Sequence, residues 1–105
     1  MVTTPREQAT RIAGAVRESL HPSQILLFGS AARGTATADS DLDFCLVFDT
    51  LPLRKIEILR QARRAALPVF RGAIDFVTYS TAEWHAYLNA QSSFETKLNR
   101  EAVAL

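Results

Sequence analysis

Residues 27–34 read Leu27-Phe28-Gly29-Ser30-Ala31-Ala32-Arg33-Gly34, and after a polar loop the chain continues as Ser40-Asp41-Leu42-Asp43. The apolar run 25–28 predicts a short strand that is buried on both faces. A glycine directly after a strand lets the backbone approach a ligand closely. The turn that follows leads into about one helical turn, whose N–H groups favour phosphate. Ser30 adds a hydroxyl, so this turn is expected to hold phosphate.

The next strand carries paired carboxylates. Residues 41–48 alternate strictly, so Asp41 and Asp43 leave the same face, about 6.6 Å apart along the backbone. No basic residue lies between them, and two acids so placed repel each other unless a cation joins them. Carboxylate oxygens suit a hard ion such as Mg²⁺, which takes its other ligands from phosphate and water. Cys45 shares this face and is interpreted as a small packed residue.

A third carboxylate lies farther along the chain. Asp75 stands between Ile74 and Phe76, in surroundings too apolar for a lone charge, and a buried carboxylate needs a partner or a metal. If this strand pairs beside the second, Asp75 shares the face of the other two acids. Three carboxylates around one point could hold two cations, the arrangement that serves phosphoryl-type transfer.

The remaining pattern predicts the other elements. The chain begins with a predicted helix over 5–20, capped by Thr4. After the second strand come a helix from Pro52 to about Leu67 and a strand over 69–78. A capping box at Ser80 and Glu83 starts the next helix, and a last short amphipathic helix is predicted through Phe94, Leu98, Ala102 and Leu105.

Length and composition bound the function. With 105 residues, the chain is expected to be a single domain over 1–105. An apolar fraction of 48% argues against disorder, and the apolar runs are far shorter than the roughly 20 residues of a membrane span. The first residues show no pattern of a secretory signal, so none is expected, and the single cysteine cannot make an internal disulfide. The cytoplasm is therefore the expected compartment. A net charge of +1 makes direct nucleic-acid binding a poor expectation.

Charge is unevenly distributed. Residues 39–49 hold four carboxylates and no base, whereas residues 54–71 hold six bases and only one acid, Glu57. Arg60, Arg63 and Arg64 lie opposite the apolar stripe of their predicted helix. The sequence leaves open whether this basic face is only solvated or docks an acidic partner.

The spacing of Gly29-Ser30 and Asp41-Leu42-Asp43 resembles the signature of the nucleotidyltransferase superfamily of the DNA polymerase beta type. The longer motif, from Leu27 to Gly34 with Ser40 to Asp43, is similar to the minimal nucleotidyltransferases, the antitoxins that are paired with HEPN-domain toxins. The strand around Asp75 is similar to the third-carboxylate strand of that family. Ala31 departs from the family, which often carries a longer, frequently basic residue there, and Ala102 and Leu105 replace a glycine and an aromatic residue.

The resemblance implies an α+β fold, with a small mixed sheet flanked by helices as in the polymerase beta palm. It implies transfer of a nucleoside monophosphate, expected to be AMP from ATP, to a hydroxyl. Asp41, Asp43 and Asp75 would be the catalytic, metal-ligating residues for two Mg²⁺ ions, or Mn²⁺. Gly29, Ser30, Arg33 and Ser40 would bind the nucleotide, although Arg33 could equally brace the loop through Asp39 or a backbone carbonyl.

The resemblance also implies a partner. The acceptor is expected to be a tyrosine of a cognate HEPN toxin, which makes this chain an antitoxin; whether it forms a homo- or hetero-oligomer stays open. One alternative is a binding subunit that neutralises its partner by contact alone. Another is an adenylyltransferase of small molecules, which is disfavoured because those relatives carry an additional helical domain for the acceptor.

Overall fold

The computed structural model describes residues 4–37, 40–90 and 101–105 of the chain. The elements follow in the order α1 (Pro5–Leu20), β1 (Gln24–Phe28), α2 (Gly29–Arg33), β2 (Leu42–Phe48), α3 (Lys55–Ala66), β3 (Ile74–Ser80), α4 (Thr81–Asn89) and β4 (Val103–Ala104).

The first helix forms as the sequence predicts. The hydroxyl of Thr4 accepts a hydrogen bond of 3.1 Å from the Glu7 N–H, and Pro5 occupies the first turn, where a proline costs no hydrogen bond. The helix ends at Leu20, after which His21 takes the left-handed conformation. The part of the chain that the structure describes contains no helix that is both long and apolar enough to span a membrane.

The four strands form one mixed sheet in the order β3-β2-β1-β4. β1 runs antiparallel to both of its neighbours, whereas β2 and β3 are parallel. A parallel pair needs a crossover connection, which α3 provides. The α+β fold with a small mixed sheet, expected from the resemblance, is therefore confirmed.

The alternation of β2 divides the core between the two faces of the sheet. α1 and α3 cover one face, against Leu42, Phe44, Leu46 and Phe48. Trp84 of α4 covers part of the other face, in a smaller cluster with Leu26, Phe28, Cys45 and Val47. Asp43 belongs to the α4 face, because its side chain points the same way as those of Cys45 and Val47.

The starts of α3 and β3 lie three and five residues later than predicted. α3 begins at Lys55, with Arg54 as its N-cap, and not at Pro52. β3 begins at Ile74 and not at Val69, because Val69 and Phe70 use their N–H groups to close the turn after α3, each donating to the Ala66 carbonyl over 2.9 Å. The start of β3 therefore depends on turn hydrogen bonds, which an apolar pattern does not reveal.

The last predicted helix is wrong at its C-terminal end, since Glu101 is helical but the chain is extended from Val103. Val103 and Ala104 form β4, which pairs with Leu27 and Leu26 of β1, and the Leu105 N–H donates to the Ile25 carbonyl over 2.9 Å. The strand forms hydrogen bonds with the backbone N–H and C=O groups along the edge of β1. The spacing of Ala102 and Leu105 is typical of a helix and does not indicate that pairing. Phe94 and Leu98 lie outside the described residues.

Candidate active site

The strand register brings the acidic residues together. Asp43 of β2 lies directly opposite Asp75 of β3, and a parallel register points both side chains to the same face of the sheet. β2 begins at Leu42, one residue later than predicted, so Asp41 immediately precedes the strand. Asp41 and Asp75 are exposed, whereas Asp43 is partly buried. The three carboxylates thus meet at one end of the sheet, beside its edge strand.

These carboxylates repel one another. Burial raises the pKa of the Asp43 carboxyl, and the negative charges of Asp75 and Asp41 raise that pKa further. A shift of this kind means that the folded chain holds a charged Asp43 at a cost in free energy. A bound cation would remove that cost.

The glycine at the end of β1 is required for two separate reasons. Gly29 has a φ of +71°, in the left-handed region that other residues avoid. In addition, a Cβ at this position would lie 2.6 Å from the Oδ2 atom of Asp43. The backbone of the turn therefore passes directly beside the carboxylate, which places the predicted phosphate-binding turn next to the predicted metal ligand.

The turn itself is closed by backbone hydrogen bonds. The Ser30 carbonyl accepts from the N–H groups of Gly34 and Thr35, and Gly34 also has a positive φ, of +80°. The Ser30 hydroxyl makes no hydrogen bond to any other residue that the structure describes, so it is available to a ligand.

Arg33 and Ser40, the other two predicted nucleotide-binding residues, have structural partners. The Arg33 Nη1 atom lies 3.2 Å from the Glu101 Oε2 atom, which is neither of the bracing partners that the sequence suggested. The Ser40 hydroxyl accepts from the Thr37 N–H over 2.9 Å and closes the loop before β2. Asp39 lies outside the described residues. A role for Arg33 or Ser40 in nucleotide binding stays a prediction.

Sequence reasoning missed two residues that hold the turn in place. Arg6 of α1 donates to the Ala32 carbonyl over 3.1 Å, and Glu101 pairs with Arg33. These contacts span 26 and 68 positions of the chain. A local pattern cannot reveal pairs so far apart, and neither residue belongs to a motif.

Cys45 forms part of the floor behind the carboxylates. Its side chain is fully buried against Trp84 and the neighbouring strands. Burial raises the pKa of the Cys45 thiol to about 12, so the thiolate is scarce at neutral pH and the residue cannot serve as a nucleophile. This agrees with its interpretation as a packed residue.

The donor set fits a divalent cation that is shared with a phosphate ligand. Among the described residues, no group of three histidine, cysteine or acidic side chains is arranged to hold a metal by itself. Mg²⁺ does not require such a group, since it commonly uses one or two carboxylates and completes its shell with phosphate and water. Asp43, with Asp41 or Asp75, supplies that pair beside the Gly29 turn.

Comparisons with known proteins agree with this geometry. The model of the nucleotidyltransferase domain matches residues 9–99. A crystal structure from Sulfolobus solfataricus, described provisionally as a nucleotidyltransferase, is similar in fold. Its TM-score with this chain is 0.57 and its sequence identity to this chain is 20%. The match covers 94% of this chain and 77% of that chain. No curated protein matches the chain. Because the family model spans most of its length, the chain belongs to the nucleotidyltransferase domain family.

Proposed function

We propose that this chain transfers a nucleoside monophosphate, AMP from ATP, to a hydroxyl group on a partner protein. The observation that carries the proposal is the register of β2 and β3, in which Asp43 lies opposite Asp75. The Gly29 turn lies on the other side of Asp43. A phosphate-holding turn and a group of acidic residues are thus adjacent, as transfer from a triphosphate requires.

Each part of the site has a distinct task in this reaction. The N–H groups of the turn and the Ser30 hydroxyl bind the triphosphate, and Asp41 and Asp43 hold Mg²⁺ or Mn²⁺. The metal, when bound, would neutralise the negative charge that develops on the phosphate groups. Asp75 accepts the proton of the acceptor hydroxyl. A bond forms between that oxygen and the α-phosphorus, the bond to the β-phosphate breaks, and pyrophosphate leaves.

The acceptor is proposed to be a tyrosine of a HEPN-type helical toxin, with this chain as its antitoxin. The sequence motif supports that assignment through its resemblance to the minimal nucleotidyltransferases. The exposure of Asp75 on β3 and of Asp41 before β2 is compatible with it, because a side chain that projects from a protein surface can reach exposed carboxylates.

The test is an intact-mass measurement. The purified chain, ATP, Mg²⁺ and a HEPN-domain protein are incubated together, and the expected product is the HEPN-domain protein with one or more added AMP units. Asp43→Asn and Asp75→Asn should each abolish the product. Asp49→Asn is the matched control: this acid follows the opposite end of β2 and accepts a hydrogen bond from Thr81 over 3.1 Å, so its loss should leave transfer intact.

The two alternatives give different results. If the partner is inhibited in the complex but gains no mass, the chain acts by contact alone. If AMP is transferred to a small hydroxyl compound but never to a protein, the chain is a small-molecule adenylyltransferase. A wild-type chain that binds ATP equally well with Mg²⁺ and with excess EDTA would contradict the proposed metal site.

A further inference from the structure

The outward side of α3 combines basic and apolar side chains in one stripe. Ile56, Arg60, Arg63 and Leu67 follow at three- and four-residue intervals, so they lie along the same side of the helix. All four are exposed, and the exposed fraction is 51% for Ile56 and 59% for Leu67. Arginine flanked by exposed apolar residues is typical of protein interfaces. We define this stripe, together with Arg64 and Arg71, as the α3 surface.

The arginines of the α3 surface lack partners within the described residues. Other basic residues close by are paired: Arg54 lies 2.9 Å from Glu57, and Lys55 lies 2.8 Å from Glu83. By contrast, the structure gives no ion pair or side-chain hydrogen bond, within residues 4–37, 40–90 and 101–105, to Arg60, Arg63, Arg64 or Arg71. Glu18 of α1 lines the same cavity as Arg64, so Arg60, Arg63 and Arg71 are the arginines of this surface with the least acidic surroundings among the described residues.

A cavity of about 130 Å³ lies at the C-terminal end of the stripe. Two arginines and an aromatic ring take part in its lining, which consists of Arg63, Leu67, Phe70, Arg71, Gly72 and Ile74. The combination of guanidinium groups with apolar walls suits a side chain that has both an apolar body and an acidic or polar end.

The α3 surface ends at the same end of the sheet as the carboxylates. Ile74, which lines the cavity, directly precedes Asp75. The Ala73 carbonyl accepts from the Leu42 N–H over 3.0 Å, and Leu42 lies between Asp41 and Asp43. The α3 surface lies on the face of the sheet that α1 and α3 cover, whereas Asp43 and Asp75 point to the α4 face. A partner seated on α3 and on the turn after it would therefore have to extend around the edge strand β3 to reach Asp75.

We infer that the α3 surface docks an acidic segment of the acceptor protein, from which the acceptor hydroxyl reaches Asp75 around the edge strand β3. The inference rests on the proposed function in so far as the acceptor is a protein. Charge complementarity identifies the occupant as acidic, and the interleaved Ile56 and Leu67 identify it as a protein, since nucleic-acid interfaces are more polar and more strongly basic.

The test uses a fluorescently labelled glutamate–tyrosine copolymer as the probe, because it is acidic and carries acceptor hydroxyls. Anisotropy measures its binding to the full chain. Arg63→Glu should weaken binding at least about tenfold, since it replaces attraction by repulsion, and the triple variant of Arg60, Arg63 and Arg64 should weaken it further. Arg11→Glu is the matched control: Arg11 is exposed on α1, and its reversal should have little effect. A lysine–tyrosine copolymer should not bind.

A second readout separates this inference from the proposed function. Incorporation of AMP into the copolymer is measured with labelled ATP and Mg²⁺. The triple variant should have a higher KM for the copolymer than the wild type, whereas its KM for ATP should be unchanged. Binding that depends on Arg63 without any incorporation supports the docking surface and contradicts the proposed function. Incorporation that is identical in the wild type and the triple variant supports the function and overturns the docking surface.

Two further results would overturn the inference. An equal loss of binding in Arg11→Glu and Arg63→Glu would show that only the overall charge matters. Tighter binding of an RNA oligomer than of the copolymer would assign the α3 surface to nucleic acid. Thermal melting tests whether each variant is folded. For any variant that is not folded, the same arginines are replaced by glutamine, which removes the charge without reversing it.

Discussion

At the scale of single residues, the site depends on how closely a backbone turn approaches one carboxylate. Gly29 and Gly34 both have positive φ angles, but only Gly29 faces another group: a Cβ there would meet Asp43, whereas nothing lies within 4 Å of a Cβ at Gly34. The two glycines therefore allow the cost of the backbone conformation to be separated from the contact with the carboxylate.

We expect Gly29→Ala to be more harmful than Gly34→Ala. Both changes place an alanine in the left-handed region, at a cost of about 1–2 kcal/mol in stability. Gly29→Ala should in addition displace the Asp43 carboxylate and abolish metal-dependent nucleotide binding. Urea denaturation measures the first effect and calorimetric titration with ATP and Mg²⁺ the second. Equal nucleotide binding by the two variants would contradict the importance of the contact.

Asp43 should reduce stability at neutral pH. Because its pKa is raised in the folded state, first by burial and then by Asp75 and Asp41, the protonated form favours folding. This contribution is fully present below the ordinary carboxyl pKa and is lost as the pH rises through the raised value. Asp43→Asn should therefore unfold at a higher urea concentration than the wild type at neutral pH. The difference should shrink in acid, and a variant less stable at neutral pH would contradict the repulsion.

The sequence predicts part of the arrangement of the acidic residues. The alternation of β2 puts Asp43 on the side of Cys45 and Val47, and the pairing of the second and third strands was expected. The burial expected for Asp75 is wrong: it is exposed, because β3 is an edge strand. The partner of Arg33 could not be found in this way. Glu101 reaches it only because β4 brings the end of the described chain back to β1, and that pairing depends on the whole sheet.

At the scale of elements, α4 is fixed at its start by a complete capping box. The Ser80 hydroxyl accepts from the Glu83 N–H, and the Glu83 carboxylate accepts from the Ser80 N–H over 3.0 Å. The same carboxylate pairs with Lys55 of α3 at 2.8 Å. Since the Trp84 side chain that covers Cys45 follows directly, this cap positions the helix on the α4 face of the sheet.

Glu83→Ala should cost about 1 kcal/mol, the usual value of a lost helix cap. The hydrogen bond from Lys55, and then that from the Ser80 backbone, lower the pKa of Glu83. Its contribution is therefore present above the ordinary carboxyl pKa and is lost as the pH falls through the lowered value. Urea midpoints for wild type and variant should converge in acid. Glu57→Ala, which removes an exposed pair with Arg54, is the control and should change the midpoint only slightly.

The sequence predicts an element well when residues within that element mark where it begins. Thr4 and Pro5 mark the start of α1, and the capping box marks the start of α4. The start of β3 and the existence of β4 were predicted wrongly, because backbone hydrogen bonds to Ala66 and Ile25 decide them. Such bonds depend on which segments meet in space, and side-chain periodicity carries no information about that.

At the scale of the whole molecule, Cys45 reports on the integrity of the α4 face. The thiol is fully buried and its pKa is raised to about 12 by burial, so reaction with a thiol reagent requires Trp84 or the sheet to move away. We expect labelling of native protein to be slow and to become fast at the urea concentration of global unfolding. A cysteine introduced at the exposed Thr50 in a Cys45→Ala background should react at once. Rapid native labelling of Cys45 would show that α4 detaches.

The parallel pairing of β2 and β3 also has a consequence for the order of folding. Asp43 and Asp75 are neighbours in the sheet but lie 32 positions apart in the chain, so they meet only after the crossover through α3 has closed. Contacts of such long range form slowly, and here two negative charges oppose the pairing of β3 with β2.

If β3 has already joined the sheet in the transition state of folding, Asp75→Asn should mainly accelerate refolding and should slow unfolding less. Stopped-flow measurements give both rates. Nucleotide-binding ability would then appear only at the end of folding, so that an incompletely folded chain would not yet engage a nucleoside triphosphate.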